Sequence, residues 1–198
     1  GIIPDNAGGI KGNMIKFDVS TDVLELEPAE TSSVKLTLTN QSPIIDFFTL
    51  VMEPVISPEA DALDPAWVSF DKPTVNLRPI PAGKSPTDGE SQQTIEMALK
   101  LPKDIPAGTY AGRIKVQARS GQGNSTTHIF NLVVAEVENY SLVLDPPDRE
   151  SRRRAEIYRI KLANDGNAPR LYSLYAEDRD DSCRFELQPN EIMLEQGQ

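Results

Sequence analysis

The stretch KLTLTNQSPIIDFFTL, residues 35–50, alternates apolar and polar side chains up to Asn40, turns, and then alternates again. A period of two indicates β-strands with one buried face and one face in water. The pattern recurs as IKLANDGNAPRLYSL, residues 160–174, and the apolar positions coincide without a gap when Asn164 is placed on Asn40. A shared alternation over roughly nineteen positions predicts that one structural unit is built twice.

Similar short runs lie on both sides of this stretch, separated by turns rich in proline and glycine. They include IKFDV at 15–19, QTIEMALKLP at 93–102, IPAGTYAGRIKVQARS at 105–120 and STTHIFNLVVAE at 125–136. About seven or eight short strands in roughly 125 residues, with no helical pattern between them, predict two antiparallel sheets packed face to face. The predicted fold class is all-β.

The repeat also divides the chain. We expect a leader or tag-like segment at residues 1–14, a first sandwich at 15–137 and a second sandwich at 138–198. NYSLVLDPPD, residues 139–148, is predicted to repeat the role of DVLELEPAE, residues 22–30. The second sandwich has no counterpart of the runs at 95–101, 114–116 and 130–134, so it is predicted to be incomplete, with the remaining strands coming from missing sequence or from another chain.

Charge and cysteine content exclude several partners. The 198 residues carry a net charge of −10, and such a field repels phosphate backbones, so nucleic acid is not an expected partner. The single cysteine, Cys183, permits no intrachain disulfide. No run of 18 apolar residues predicts a transmembrane segment, and no signal segment is recognised. These features favour an intracellular location, with an extracytoplasmic one as the alternative.

Three stretches resemble bacterial tandem immunoglobulin-like domains, the type found beside carbohydrate-binding modules and in large surface or assembly proteins. They are the strand ends LTLTN and IKLAN, the pair WVSFDKPTVNLRP (67–79) and FELQPNEIML (185–194), and LPKDIPAGTYAGRIKV (101–116). The resemblance implies two tandem immunoglobulin-like antiparallel β-sandwiches, the second incomplete. It implies structural roles for Asn40, Asn164 and Gly166, and a tyrosine corner at Tyr110.

No residue set predicts catalysis or a cofactor. His128 is the only histidine and shares a strand face with apolar residues. One histidine and one cysteine cannot supply the usual zinc ligands. The acidic run EDRDDS, residues 177–182, makes Asp178, Asp180 and Asp181 weak candidate cation ligands, but it lacks the fixed alternation and glycine of a calcium loop, which favours a solvated loop tip. Trp67 is a candidate sugar-binding platform, or else a core or loop-capping residue.

These observations predict a non-catalytic spacer or docking segment of a larger protein that makes protein–protein contacts in a multiprotein assembly. Exposed sheet edges and the loops at 53–66 and 80–93 are the expected places for a partner. The alternative is an accessory module that binds carbohydrate or a cell-envelope polymer and is attached to a catalytic domain elsewhere.

Overall fold

The computed structural model describes residues 14–121, 124–145, 158–177 and 186–198. Within these ranges the regular elements are strands and one turn of 3-10 helix, so the all-β prediction is confirmed. The chain forms two compact units, Gly1–Ala135 (unit 1) and Glu136–Gln198 (unit 2).

Among its described residues, unit 1 contains ten strands, more than the seven or eight expected, because several of the runs are divided between the two sheets. They are β1 (Ile15–Val19), β2 (Val23–Leu26), β3 (Thr31–Asn40), β4 (Asp46–Pro54), β5 (Asp61–Ala62), β6 (Val68–Phe70), β7 (Thr74–Leu77), β8 (Gln92–Lys100), β9 (Gly108–Ala118) and β10 (Ser125–Val134). The 3-10 helix, Pro65–Trp67, lies between β5 and β6. The expected loop at 53–66 therefore contains β5 and the start of the 3-10 helix, whereas the loop at 80–93 contains regular structure only from Gln92, where β8 begins.

The ten strands form two sheets. One has the order β1-β3-β8-β6, and the other has the order β2-β10-β9-β4-β7 with the short β5 beside β9. The first sheet has the A-B-E-D order of an immunoglobulin constant-type sandwich, and the second contains its G-F-C order as β10-β9-β4. The second sheet is extended by β2 beside β10 and by β7 beside β4. All pairs are antiparallel except β2 with β10 and β5 with β9. The immunoglobulin-like prediction is confirmed for unit 1.

Alternation places the core of unit 1 between the sheets. The fully buried side chains include those of Leu36, Leu38, Phe48, Ile95, Met97, Leu99, Ile114, Val116, Phe130 and Leu132. Each buried side chain of this size stabilises the fold by about 1.5–3 kcal/mol relative to an exposed one. The strands β8, β9 and β10 supply more than half of these residues, so the core depends on them.

Unit 2 contains four strands among its described residues. They are β11 (Tyr140–Asp145), β12 (Arg159–Asn164), β13 (Arg170–Ser173) and β14 (Glu191–Leu194). They form two antiparallel pairs, β11 with β12 and β13 with β14.

The first pair has the register of a pair in unit 1. Asn164 at the end of β12 lies opposite Tyr140, just as Asn40 at the end of β3 lies opposite Ile15. β11 therefore takes the place of β1. The expectation that residues 139–148 repeat the role of residues 22–30 is wrong, because the latter form β2, which pairs in parallel with β10. An alternating apolar run fits either position, and only the pairing partner distinguishes them.

The second pair repeats the pairing of β4 with β7. Arg170 lies opposite Leu194 in unit 2, and Asp46 lies opposite Leu77 in unit 1. Within the described ranges, no strand of unit 2 corresponds to β8, β9 or β10. The described part of unit 2 therefore has the strand pairs of a second, incomplete sandwich of the same type, as predicted.

Asn40 joins the end of β3 to the opposite sheet. Its side chain is fully buried, and its Nδ2 donates to the carbonyls of Ile44 and Leu77, both at 2.9 Å. Its Oδ1 accepts from the backbone N–H of Ser42 at 2.9 Å. One amide thus fixes the turn after β3 and holds β7 of the facing sheet.

Asn164 makes the same set of bonds in unit 2. Its Nδ2 donates to the carbonyls of Ala168 at 2.8 Å and Leu194 at 3.1 Å, and its Oδ1 accepts from the N–H of Gly166 at 3.0 Å. The spacing to the turn residues is identical to that around Asn40. The repeated asparagine is therefore a repeated structural joint.

We expect the Asn40→Ala variant to lose roughly 2–4 kcal/mol of unfolding free energy, because buried carbonyl and N–H groups lose their partner. Urea unfolding followed by the fluorescence of Trp67, the only tryptophan, reports on unit 1 alone. The control is Asn76→Ala, at an exposed position of β7, which should change stability by less than about 0.5 kcal/mol. Equal losses of unfolding free energy in the two variants would contradict this structural role of Asn40.

Candidate docking interface

Trp67 and Tyr110 pack against each other beside the core of unit 1. The two rings meet edge to face, with centroids 5.3 Å apart. The Tyr110 hydroxyl donates to the carbonyl of Pro106 at 2.8 Å, four residues upstream, which is the geometry of a tyrosine corner. Burial, and then the negative charge of Asp61, raise the pKa of Tyr110. Trp67 is half-buried against the core, so its ring serves packing within the unit.

The position of Gly166 has no room for a side chain, because the backbone of residues 137–139 passes close to it. A β-carbon at this position would lie 2.5 Å from the carbonyl oxygen of Val137 and 3.2 Å from the backbone nitrogen of Asn139. Any larger residue would displace that segment from the turn that follows Asn164. In unit 1 the equivalent position is Ser42, which is itself buried.

The remaining candidates do not come together. His128 is half-buried on the same face of β10 as Phe130 and meets Phe17 edge to face at 6.4 Å. Asp178, Asp180, Asp181 and Cys183 lie outside the described residues. Over the residues that are described, no group of three or more histidine, cysteine or acidic side chains could hold a metal ion. The same residues contain no helix long and apolar enough to cross a membrane.

Unit 2 exposes apolar side chains on the inward side of β11 and β12. We call this surface the open face, and it consists of Tyr140, Leu142, Leu144, Tyr158 and Ile160, all of which are exposed. The register puts Leu144 opposite Ile160, and both point to the side where Asn164 is buried. The open face is therefore the core side of this sheet.

Unit 1 buries the equivalent residues. Ile160 is 39% exposed, whereas Leu36 at the same place in β3 is 0% exposed. Tyr158 is 47% exposed, whereas Val34 is 1% exposed. The difference lies in the neighbouring strands and not in the residue types, because both strands present large apolar side chains here.

In the described part of unit 2, one edge of β12 has no strand beside it, and its backbone contacts there are those of Asn164 with Gly197 and Gln198. In unit 1, β3 is paired on both sides, by β1 and by β8. In the described part of unit 2, β12 is paired with a strand on one side only, by β11. Backbone groups on an unpaired strand edge can accept an added strand. The open face and this edge adjoin each other.

Sequence reasoning missed the open face, although a signal was present. The alignment on Asn40 and Asn164 places Ile160 on the buried Leu36, and the strands that cover Leu36 have no counterpart in the described part of unit 2. Combining these two observations identifies the exposed residues. Trp67, in contrast, was a candidate only because of its residue type.

Neither a protein-family model nor a curated protein matches the sequence. Among solved structures, PapD-like (ASH) domain 7 of human CEP192 is 17% identical, with 60% of this chain and 83% of that chain covered and a TM-score of 0.39. The class 5 fimbriae chaperone CfaA is 16% identical, with coverages of 91% and 83% and a TM-score of 0.37.

A family 123 glycoside hydrolase from Clostridium perfringens is 10% identical and has a TM-score of 0.46, and the match covers 61% of this chain but only 27% of the hydrolase. All three TM-scores are low, so these similarities carry no conclusion about function.

We expect Tyr110→Phe to cost about 1 kcal/mol near neutral pH, through loss of the bond to Pro106. Because the folded-state pKa is raised above the ordinary 10.0, the stabilisation is complete below that value and is lost as pH rises through the folded pKa. The advantage of the native protein over the variant should therefore shrink from about pH 8 to about pH 11. Urea unfolding at both pH values measures it, and a constant difference would contradict this role.

Proposed function

We propose that the chain is a non-catalytic docking segment of a larger multiprotein assembly, in which unit 1 is a complete scaffold and unit 2 presents the open face to a protein partner. One observation carries the proposal: Ile160 and Tyr158 are exposed where their unit 1 equivalents are buried. A contiguous apolar surface of this kind is typical of a protein interaction site.

The energetics favour a covered state. Full burial of an exposed side chain of this size gains about 1.5–3 kcal/mol, and because the residues of the open face are 39–57% exposed, each gains roughly half of that when it is covered. Association and ordering of side chains offset part of this gain. Tyr140, Leu142, Leu144 and Ile160 lie opposite one another or two residues apart on the same side of β11 and β12, so one partner surface can contact them together.

Protein is the partner class that fits the charge and the shape. The chain carries a net charge of −10, which disfavours nucleic acid. The open face consists of aliphatic and tyrosine side chains on a sheet, the kind of surface that packs against another sheet or strand. Resemblance to tandem domains of bacterial surface and assembly proteins supports a role as spacer and docking segment in such an assembly.

Photo-crosslinking tests the docking role. A photoreactive amino acid replaces Leu142, which is 55% exposed on the inward side, or its neighbour Val143, which is 53% exposed on the outward side. Illumination in the source cells should crosslink one defined protein at a fixed ratio from position 142 and not from 143. Equal crosslinking from both positions, or none from 142, would contradict the proposal.

The alternative, a carbohydrate- or envelope-binding module, requires the Trp67 ring to contact the bound polymer. Because this ring already packs against Tyr110 and the core, we expect glycans and cell-envelope polymers to leave its fluorescence unchanged. Saturable quenching of Trp67 fluorescence, together with loss of binding in a folded Trp67→Ala variant when binding is measured by calorimetry, would replace the docking role with this alternative.

A further inference from the structure

We infer that the outward side of β9 in unit 1 is a second docking site, which binds an acidic segment of another protein. The site lies in a different unit from the open face and does not depend on it. We call it the basic stripe, and it consists of Arg113, Lys115 and Arg119.

The basic stripe follows from the alternation of β9. Ile114 points into the core, so Arg113 and Lys115 lie on the outward side, about 7 Å apart. Arg119 continues the row just beyond the strand, where its backbone N–H donates to the carbonyl of Phe47 at 2.9 Å. Three cations therefore follow one line in a chain whose net charge is −10.

One carboxylate lies beside these cations. Glu53 of β4 is opposite Arg113, and its carboxylate oxygens lie 4.0 Å from Arg113 Nη1 and 3.8 Å from Lys115 Nζ. Among the described residues, it is the only acidic residue on the outward sides of β4, β9 and β10. Ion pairs of this length between exposed groups contribute little to stability. The stripe therefore keeps an excess of positive charge, and a carboxylate fits between two of its cations.

Exposed apolar side chains flank the basic stripe on both sides. Val51 of β4 lies opposite Lys115, and Ile129 of β10 lies opposite Arg113. Both apolar side chains are exposed. A partner that contacts the cations therefore also meets apolar surface on the two neighbouring strands.

The end of the basic stripe is held in place by its neighbours. The guanidinium carbon of Arg119 lies 5.5 Å from the centroid of the Phe47 ring, within the range of cation–π attraction. The next residue, Ser120, donates its backbone N–H to Asp46 Oδ1 at 3.1 Å and its hydroxyl to Asp46 Oδ2. Because Asp46 is buried, these bonds fix the backbone beside Arg119 to the sheet. A partner then has less side-chain ordering to offset when it binds.

An acidic protein segment fits this combination of charge and apolar surface. An extended segment presents alternate side chains at a repeat of about 7 Å, which matches the spacing of cations on β9. Its carboxylates can pair with the stripe, while its apolar side chains cover Val51 and Ile129. A polysaccharide has no such apolar side chains.

The charge of the whole chain limits the size of the partner. A short segment lies within a Debye length of the stripe, about 8 Å at physiological salt, and so responds to the local positive charge. Nucleic acid and an anionic membrane extend much further and also meet the net charge of −10. Two copies of this chain repel each other for the same reason, so a segment of another protein is the favoured partner.

An NMR titration of the full chain with a synthetic peptide tests the inference. The peptide alternates glutamate with serine and carries an isoleucine near each end, and the control peptide has glutamine in place of every glutamate. We expect the glutamate peptide to shift the amide resonances of β4, β9 and β10 around Lys115. The glutamine peptide should bind at least about tenfold more weakly, because the ion pairs are lost. Equal binding of the two peptides, or shifts confined to unit 2, would overturn the inference.

Two variants with the same loss of charge separate the stripe from the net charge of the chain. Lys115→Gln should weaken binding of the glutamate peptide about threefold, because one ion pair is lost. Lys35→Gln, at an exposed position of β3 in the other sheet, should bind as the native chain does. Equal weakening in both variants would show that only the net charge matters, and would overturn the basic stripe.

Glu53→Gln should have the opposite effect. Because it removes the internal carboxylate beside Arg113 and Lys115, the variant should bind the glutamate peptide about two- to fivefold more tightly. Damage to the sheet would weaken binding and cannot produce this gain. The matched control is Glu96→Gln, at an exposed position of β8 in the other sheet, which should leave the affinity unchanged. Unchanged or weaker binding by Glu53→Gln would contradict the inference.

Other outcomes assign the basic stripe to a different occupant. Binding of a DNA duplex or of phosphatidylserine vesicles that Lys115→Gln weakens, without binding of the glutamate peptide, would replace the acidic segment by a phosphate-bearing partner. Self-association that Lys115→Gln abolishes would assign the stripe to a second copy, and either result overturns the inference. Crosslinking from position 142 tests the open face separately, so each of the two proposals can fail while the other holds.

Discussion

The buried asparagine amide at the end of β3 is the constraint on which the rest of the sandwich depends. Asn40 bonds to the turn through Ser42 and Ile44 and to the opposite sheet through Leu77. Leaving any of these groups without a partner in the core is costly. β3 must therefore end at this residue, and the facing strand β7 must end beside it. Alternation along both strands then points the apolar residues into the space between the sheets.

Unit 2 shows which features of the sandwich the buried asparagine determines and which it does not. Asn164 makes the same bonds, and the two strand pairs around it keep the registers of unit 1. Ile160 nevertheless stays exposed. The joint thus specifies strand ends, turn and pairing, whereas burial of the apolar face requires the central strands, which in unit 1 are β8 and β9.

Much of this architecture could be predicted from sequence because it follows from local pattern. Alternation identified the buried side chains of Leu36 and Ile95, and the recurring asparagine revealed the duplication. The role of β11 could not be predicted, because its alternation matches β1 and β2 equally and only pairing with β12 decides. The open face could not be recognised from Leu142 or Ile160 alone. Whether such side chains are buried depends on strands that are distant in the sequence, as β8 and β9 are from β3 in unit 1.

The charges on β12 bear on how an open edge stays available without causing self-association. An unpaired strand with an apolar face favours aggregation unless charged residues oppose it. If two copies of β12 paired antiparallel around Ile160, Arg159 of each copy would lie opposite Lys161 of the other, and like charges directly across a pair are destabilising. Lys161 is also paired with Asp145 of β11 at 3.4 Å, so part of this positive charge is balanced within unit 2. The outward side of β12 thus opposes self-pairing, while its inward side carries the exposed apolar side chains.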